Sequence, residues 1–184
     1  MGFHGSYLAA RMAPDALARA LGLTLGLALG AADAGRPGED WIARRSDGTW
    51  TVFFALEDDF DAGLDHDGRL AALAGEAEVL YCLPDAGTMT SLCSGWTGGR
   101  MTWRVWHDGL TGESAHLEVD GTPPPPFEAI RDRLLADQRR ADADGATVDH
   151  MFDVPVALFE ALTGFRHDTG PADGTFAAYY GVES

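Results

Sequence analysis

The run Ala77–His107, AEVLYCLPDAGTMTSLCSGWTGGRMTWRVWH, decides the fold. Two apolar segments, Ala77–Pro84 and Thr88–Ser94, flank Asp85–Ala86–Gly87, and a third, Arg100–His107, follows Gly98–Gly99. Segments rich in Val, Tyr, Thr and Trp, separated by Gly-containing turns, read as consecutive strands of an antiparallel sheet. Alternation along Arg100–His107 places Met101, Trp103 and Val105 on one face, and Arg104 and Trp106 on the other. All five tryptophans of the chain lie between Trp41 and Trp106, within the expected sheet.

Upstream, Trp41–Arg45 and Thr49–Leu56 form a hairpin around Ser46–Asp47–Gly48, where Gly48 supplies the positive φ of a tight turn. Gly5–Arg11 reads as a short strand stopping before Pro14. Asp15–Leu21 reads as a helix with Leu17 and Leu21 four apart. Leu23, Leu25, Leu27 and Leu29 alternate with small residues, the period of a strand weakened by glycine. Glu57–Gly68 is an acidic loop, and Arg69–Ala77 a short helix.

Downstream, Ser114–Val119 reads as a further strand and Pro123–Pro126 as a stiff polyproline segment. A helix over Pro126–Ala141 carries Phe127, Ile130 and Leu134 on one face. In a second helix Asp153 is the expected cap, Pro155 sits in the first turn and Gly164 closes it. Phe176–Val182 ends the chain as a strand or a docked tail. The order predicts an α+β fold: an antiparallel sheet of six or seven strands with three or four helices packed mainly on one face. Residues 1–184 read as one domain, with 123–184 at most a helical subdomain.

The composition narrows the partners. Of 184 residues 46% are hydrophobic, enough for a core. All 13 basic residues are arginine and 29 are acidic, a net charge of −16. Such a surface repels nucleic-acid backbones and anionic membranes and attracts basic proteins. Two cysteines, Cys82 and Cys93, are too few for a disulfide scaffold; eleven residues apart around a turn they allow a cross-strand disulfide, but read first as reduced thiols in a cytoplasmic protein. The uncharged run Ala20–Ala32 is too short to cross a bilayer and reads as a helix end followed by a strand.

Candidate chemistry is sparse. Glu57, Asp58, Asp59, Asp61, Asp65 and Asp67 crowd six carboxylates into eleven residues. The calcium-loop template needs an acid at position 1, Gly at 6 and Glu at 12. Setting Gly68 at 6 puts Gly63 at 1 and Ala74 at 12; setting Gly145 there puts Arg140 at 1 and Met151 at 12. The loop therefore reads as a solvated acidic surface suited to a basic partner. His107 and His116 lack the spacing of a zinc site, and Asp149–His150 and His167–Asp168 are adjacent pairs in loops. Cys93 or Ser94 with His107 and Asp108 would supply a nucleophile, a base and an orienting acid, but no G-x-S-x-G elbow is present. No phosphate-binding glycine motif or other cofactor signature is found. Trp106 beside Arg104 pairs the two residue types that dominate interface hot spots.

Between Tyr81 and Asp168, three strings stand out: Trp103-Arg-Val-Trp-His-Asp108, the Gly121-Thr-Pro-Pro turn into a helix, and Val148-Asp-His-Met-Phe-Asp-Val-Pro155 with Leu162-Thr-Gly-Phe-Arg-His-Asp168. With them the chain resembles small bacterial immunity-type proteins encoded beside secreted or contact-dependent toxins. The resemblance covers about half of the chain and brings no catalytic motif. It implies an acidic α+β domain that binds a cognate toxin and blocks its active site. The resulting expectation is a non-enzymatic, cytoplasmic binding protein, with Glu57, Asp58, Asp59, Asp61, Asp65, Asp67, Arg104 and Trp106 as contacts for a basic partner and no metal or cofactor. The alternative is a small hydrolase-like enzyme or small-molecule binder with a site near His107, Asp108, His116 and Cys93.

Overall fold

The computed structural model of the chain describes residues 5–29, 40–55, 68–166, 168 and 175–183. Its elements are β1 (Ser6–Ala10), α1 (Pro14–Leu21), β2 (Thr24–Leu29), β3 (Trp41–Arg45), β4 (Thr51–Ala55), α2 (Arg69–Glu76), β5 (Val79–Asp85), β6 (Thr90–Thr97), β7 (Arg100–Asp108), β8 (Glu118–Gly121), α3 (Phe127–Ala143), α4 (Asp153–Thr163) and β9 (Phe176–Glu183). The nine strands form one sheet in the order β2-β9-β3-β4-β1-β5-β6-β7-β8. Every neighbouring pair is antiparallel.

The α+β class and the antiparallel sheet match the expectation, but the strand number does not. Nine strands replace six or seven because both glycine-weakened β2 and terminal β9 join the sheet, β9 sliding between β2 and β3. The placement of the helices is also corrected. Residues Tyr7, Ala9, Val52, Phe54, Leu80, Cys82, Cys93, Trp103 and Val105 share one core with Phe127 and Leu134 of α3 and Val154, Leu158 and Phe159 of α4. Their neighbours Leu8, Ala10, Phe53, Ala55, Val79 and Tyr81 share a second core with Leu17, Ala18 and Leu21 of α1 and Leu70, Leu73 and Ala74 of α2. Helices cover both faces, so β1 and β4 are apolar at consecutive positions and buried throughout.

Two local expectations shift for a common reason: short-range hydrogen bonds to side chains outcompete the regular element. The strand expected at Ser114–Val119 begins only at Glu118. Before it, Asp108 accepts from Leu110 N–H, starting a single helical turn over Gly109–Thr111. Gly112 ends that turn at φ 75°. The α4 helix starts where expected, but Asp153 does not cap it. Asp149 Oδ1 accepts from the N–H groups of Met151 and Phe152, in the turn just before the helix, at 3.1 and 3.2 Å. Asp153 instead takes Arg166 at 2.8 Å. Gly164, at φ 78°, closes the helix as expected.

Close packing inside the sheet is tightest at Gly95. A Cβ there would stand 2.1 Å from the Trp103 indole nitrogen, so the ring lies flat over bare backbone. Gly95→Ala should therefore displace a buried tryptophan and lower stability by about 2–3 kcal/mol, read as a fall in the urea midpoint. Gly75→Ala, with open space around its Cβ position inside α2, should not destabilise.

Candidate functional site

Strand β7 carries the candidate residues on both of its faces. On the face shared with α1 and α2, register aligns Leu83, Leu92, Trp106 and Glu118 in one row across β5 to β8. The adjacent row is Tyr81, Ser94, Arg104 and Asp120. Leu83, Leu92 and Trp106 are half-buried, while Glu118 and Asp120 are exposed on the edge strand. Arg104 donates from Nε and Nη2 to Asp120 Oδ2 at 3.0 and 2.6 Å. Its guanidinium lies 5.8 Å from the Trp106 ring centre, and the His116 ring meets Trp106 edge-on at 6.0 Å. The expected contacts Arg104 and Trp106 are thus side by side, an apolar surface bordered by acids. The other expected contacts, Glu57, Asp58, Asp59, Asp61, Asp65 and Asp67, lie outside the described residues.

On the opposite face of β7, His107 is fully buried. Its Nδ1–H donates to the carbonyl of His116 at 2.7 Å, since a carbonyl can only accept. Its Nε2 lies 2.9 Å from Asp149 Oδ2. Asp108 N–H donates to His116 Nδ1 at 3.0 Å, and His116 Nε2 stands 3.7 Å from Glu118. Both ring nitrogens of His107 are therefore engaged inside the protein, leaving neither for a substrate proton. Cys93 is fully buried directly opposite Cys82. Burial, with the neighbouring Cys82 thiol adding to it, pushes the Cys93 thiol well above its ordinary pKa and keeps it protonated. His107 and His116 come together with Asp108, but this set does not assemble a nucleophile and a free base.

The polar cluster extends through residues that the sequence analysis passed over. Gln138, buried on α3, donates from Nε2 to Asp142 Oδ1 at 2.8 Å and to the Val148 carbonyl at 3.1 Å, and its Oε1 accepts from His150 N–H at 2.7 Å. Ser114 donates to the other Asp142 oxygen at 2.7 Å. These bonds tie α3 to the connection into α4 and to the segment before β8, and Asp149 in that connection reaches His107 at the end of β7. The available signal was the helical stripe: Gln138 follows Leu134 by four residues and completes the buried face of α3.

Arginine is largely consumed inside the chain. Arg11, Arg19, Arg45, Arg104, Arg131, Arg140 and Arg166, seven of the 13 basic residues, each pair with an acidic side chain. Arg166 meets three, Asp153, Glu160 and Asp168. Arg44 points its guanidinium at the carbonyls of Met12 and Gly48 and at Thr51. Exposed pairs of this kind contribute little stability. They do cancel cations at short range, so the surplus of carboxylates sets the outer field.

Among the described residues no three His, Cys, Asp or Glu side chains group as a metal site, and no helix is long and apolar enough to cross a membrane. Comparison of the chain with protein-family models, with curated proteins and with solved structures returns no match.

Two tests follow from the cluster. Asp149→Ala should leave His107 Nε2 and the N–H groups of Met151 and Phe152 without their partner, lowering stability by about 2–3 kcal/mol. Asp149→Asn should cost less, because an amide can donate to Nε2 while its oxygen still accepts from Met151 and Phe152 N–H; equal losses for both would refute the hydrogen-bond account. Hydrogen bonds from Ser114, and then Gln138, hold the Asp142 pKa below its ordinary value. The folded state therefore binds this proton less readily than the unfolded chain. The associated stability is complete above about pH 4 and is lost as pH falls through the lowered folded value. Ser114→Ala should lower stability at pH 7, and its difference from the parent chain should shrink as pH falls below about 4, read from urea midpoints across that range.

Proposed function

We propose that the chain is a non-enzymatic acidic binding protein of the immunity type, which acts in the cytoplasm by binding and neutralising a cognate toxin with a basic surface. The observation that carries this reading is the fate of the charge. Arginines are spent on internal pairs, while a net −16 is left to the carboxylates. An electrostatic field of that sign draws in a basic protein and speeds the encounter. The row Leu83–Leu92–Trp106, bordered by Glu118, Asp120 and Arg104, offers what such an encounter needs next: a half-buried aromatic anchor within a charged rim. The acids Glu57, Asp58, Asp59, Asp61, Asp65 and Asp67 are proposed as further contacts for the basic partner.

The enzyme alternative has less support. His107 has both nitrogens engaged, and Cys93 is a buried, protonated thiol.

The test is co-expression with the products of the neighbouring genes. A basic product that forms a stoichiometric complex, loses toxicity in that complex and dissociates as salt rises supports the proposal. Trp106→Ala should raise the dissociation constant by about tenfold or more, as for a central interface aromatic. Reversing three acids of the Glu57–Asp67 loop should instead slow association by about tenfold. Absence of any complex with the neighbouring products would overturn the proposal, and unchanged association after charge reversal would remove the loop from the interface.

A further inference from the structure

The two edges of the sheet are built differently. At one edge, β8 is four residues long and exposed throughout, with Glu118 and Asp120 on it. It ends at Gly121, at φ 70°, and leads into Pro123–Pro126. Acids, a short length and nearby prolines are the devices that keep a sheet edge from pairing with another chain. At the other edge, β2 has six residues, none of them charged and none proline. It lies in Ala20–Ala32, thirteen consecutive uncharged residues in a chain that is 23% charged.

Among the described residues β2 pairs only with β9, and none of them pairs with its outer backbone edge. The pairing is irregular between Leu25 and Ala28. Gly26 lies so close to β9 that a Cβ would stand 2.8 Å from the Gly181 carbonyl oxygen. Leu25 packs against the core, whereas Leu27 is 87% exposed.

We infer that β2 is the seam of a homodimer, in which a second copy of the chain pairs antiparallel along Thr24–Leu29 and continues the sheet. Charge selects this occupant. Two copies of net charge −16 repel wherever carboxylates are brought face to face, and β2 is the strand edge that brings none. A basic partner, by contrast, gains nothing from an uncharged edge. Symmetry closes the assembly: an antiparallel strand paired with itself has a two-fold axis, and a two-fold interface uses up its own edge. The guarded β8 edge leaves no route to head-to-tail growth. An axis normal to the sheet and passing at Leu27 sets the two Leu27 side chains opposite each other, burying the most exposed large apolar group among the described residues. This inference stands independently of toxin binding.

Sedimentation equilibrium of the full chain tests it. The expected mass is twice 19.6 kDa, with self-association tightened by added salt because screening relieves the repulsion between copies. Salt acts in the opposite direction on capture of a basic partner, which keeps the two readings apart. Leu27→Asp should weaken the dimer by about a hundredfold or more at unchanged circular dichroism. Val119→Asp, at the exposed apolar position of β8, should leave it intact. Leu27→Cys should give a disulfide-linked dimer on mild oxidation, while Cys82 and Cys93 stay buried. A monomer at all concentrations up to about 100 µM, a dimer that survives Leu27→Asp, or one broken by Val119→Asp would each overturn the inference.

Discussion

Everything in this molecule hangs on the register of β1. Its five residues lie between β4 and β5, and all five are buried. Tyr7 pairs with Phe54 and Cys82, Leu8 with Phe53 and Tyr81. Successive side chains therefore feed two separate cores. A slip of one residue would exchange them, driving Tyr7 out of the aromatic set where it stacks on Phe54 at 5.0 Å and approaches Phe165 at 5.1 Å. Antiparallel sheets commonly keep one face in water. Here both faces must be roofed, and the four helices among the described residues divide two and two between them.

That division was legible in the sequence in a form easily misread. Strand positions follow from the turn residues: Asp47–Gly48, Ala86–Gly87 and Gly98–Gly99 all fall between paired strands. Helices packed mainly on one face are the ordinary companion of such a sheet, yet Ser6–Ala10 and Thr51–Ala55 are apolar almost without interruption, which is the mark of a strand covered on both sides. Alternation holds further out in the sheet, in β7, where Arg104 and Trp106 face away from Val105 and His107 as their spacing predicts. What spacing cannot supply is long-range pairing. Insertion of β9 between β2 and β3 and the approach of Asp149 to His107, 42 residues away, depend on the assembled fold. The shortened β8 has a local cause that chain spacing also hides, the capture of Leu110 N–H by Asp108.

The acid surplus imposes its own constraint. A chain with 29 acidic and 13 basic residues repels itself when compact. The fold answers by placing arginines against particular carboxylates, with Arg166 among Asp153, Glu160 and Asp168 joining α4 to the chain beyond it. Lysine, a flexible point charge, would do this less well than a planar guanidinium with several fixed donors. Exclusive use of arginine thus suits a chain whose few cations must each hold a definite position.

The inner and outer faces of β7 meet in one consequence. His107 is locked between the His116 carbonyl and Asp149, and the same His116 ring lies edge-on to Trp106. Arg104, one residue from the buried Val105, is held by Asp120 on the edge strand. Buried hydrogen bonds behind the strand therefore fix the backbone from which Trp106 projects, and an ion pair beside it limits the neighbouring side chain. A surface organised before its partner arrives loses less conformational freedom on binding. On the proposed binding reading, the polar cluster at the back of β7 serves recognition by making the front of the strand rigid.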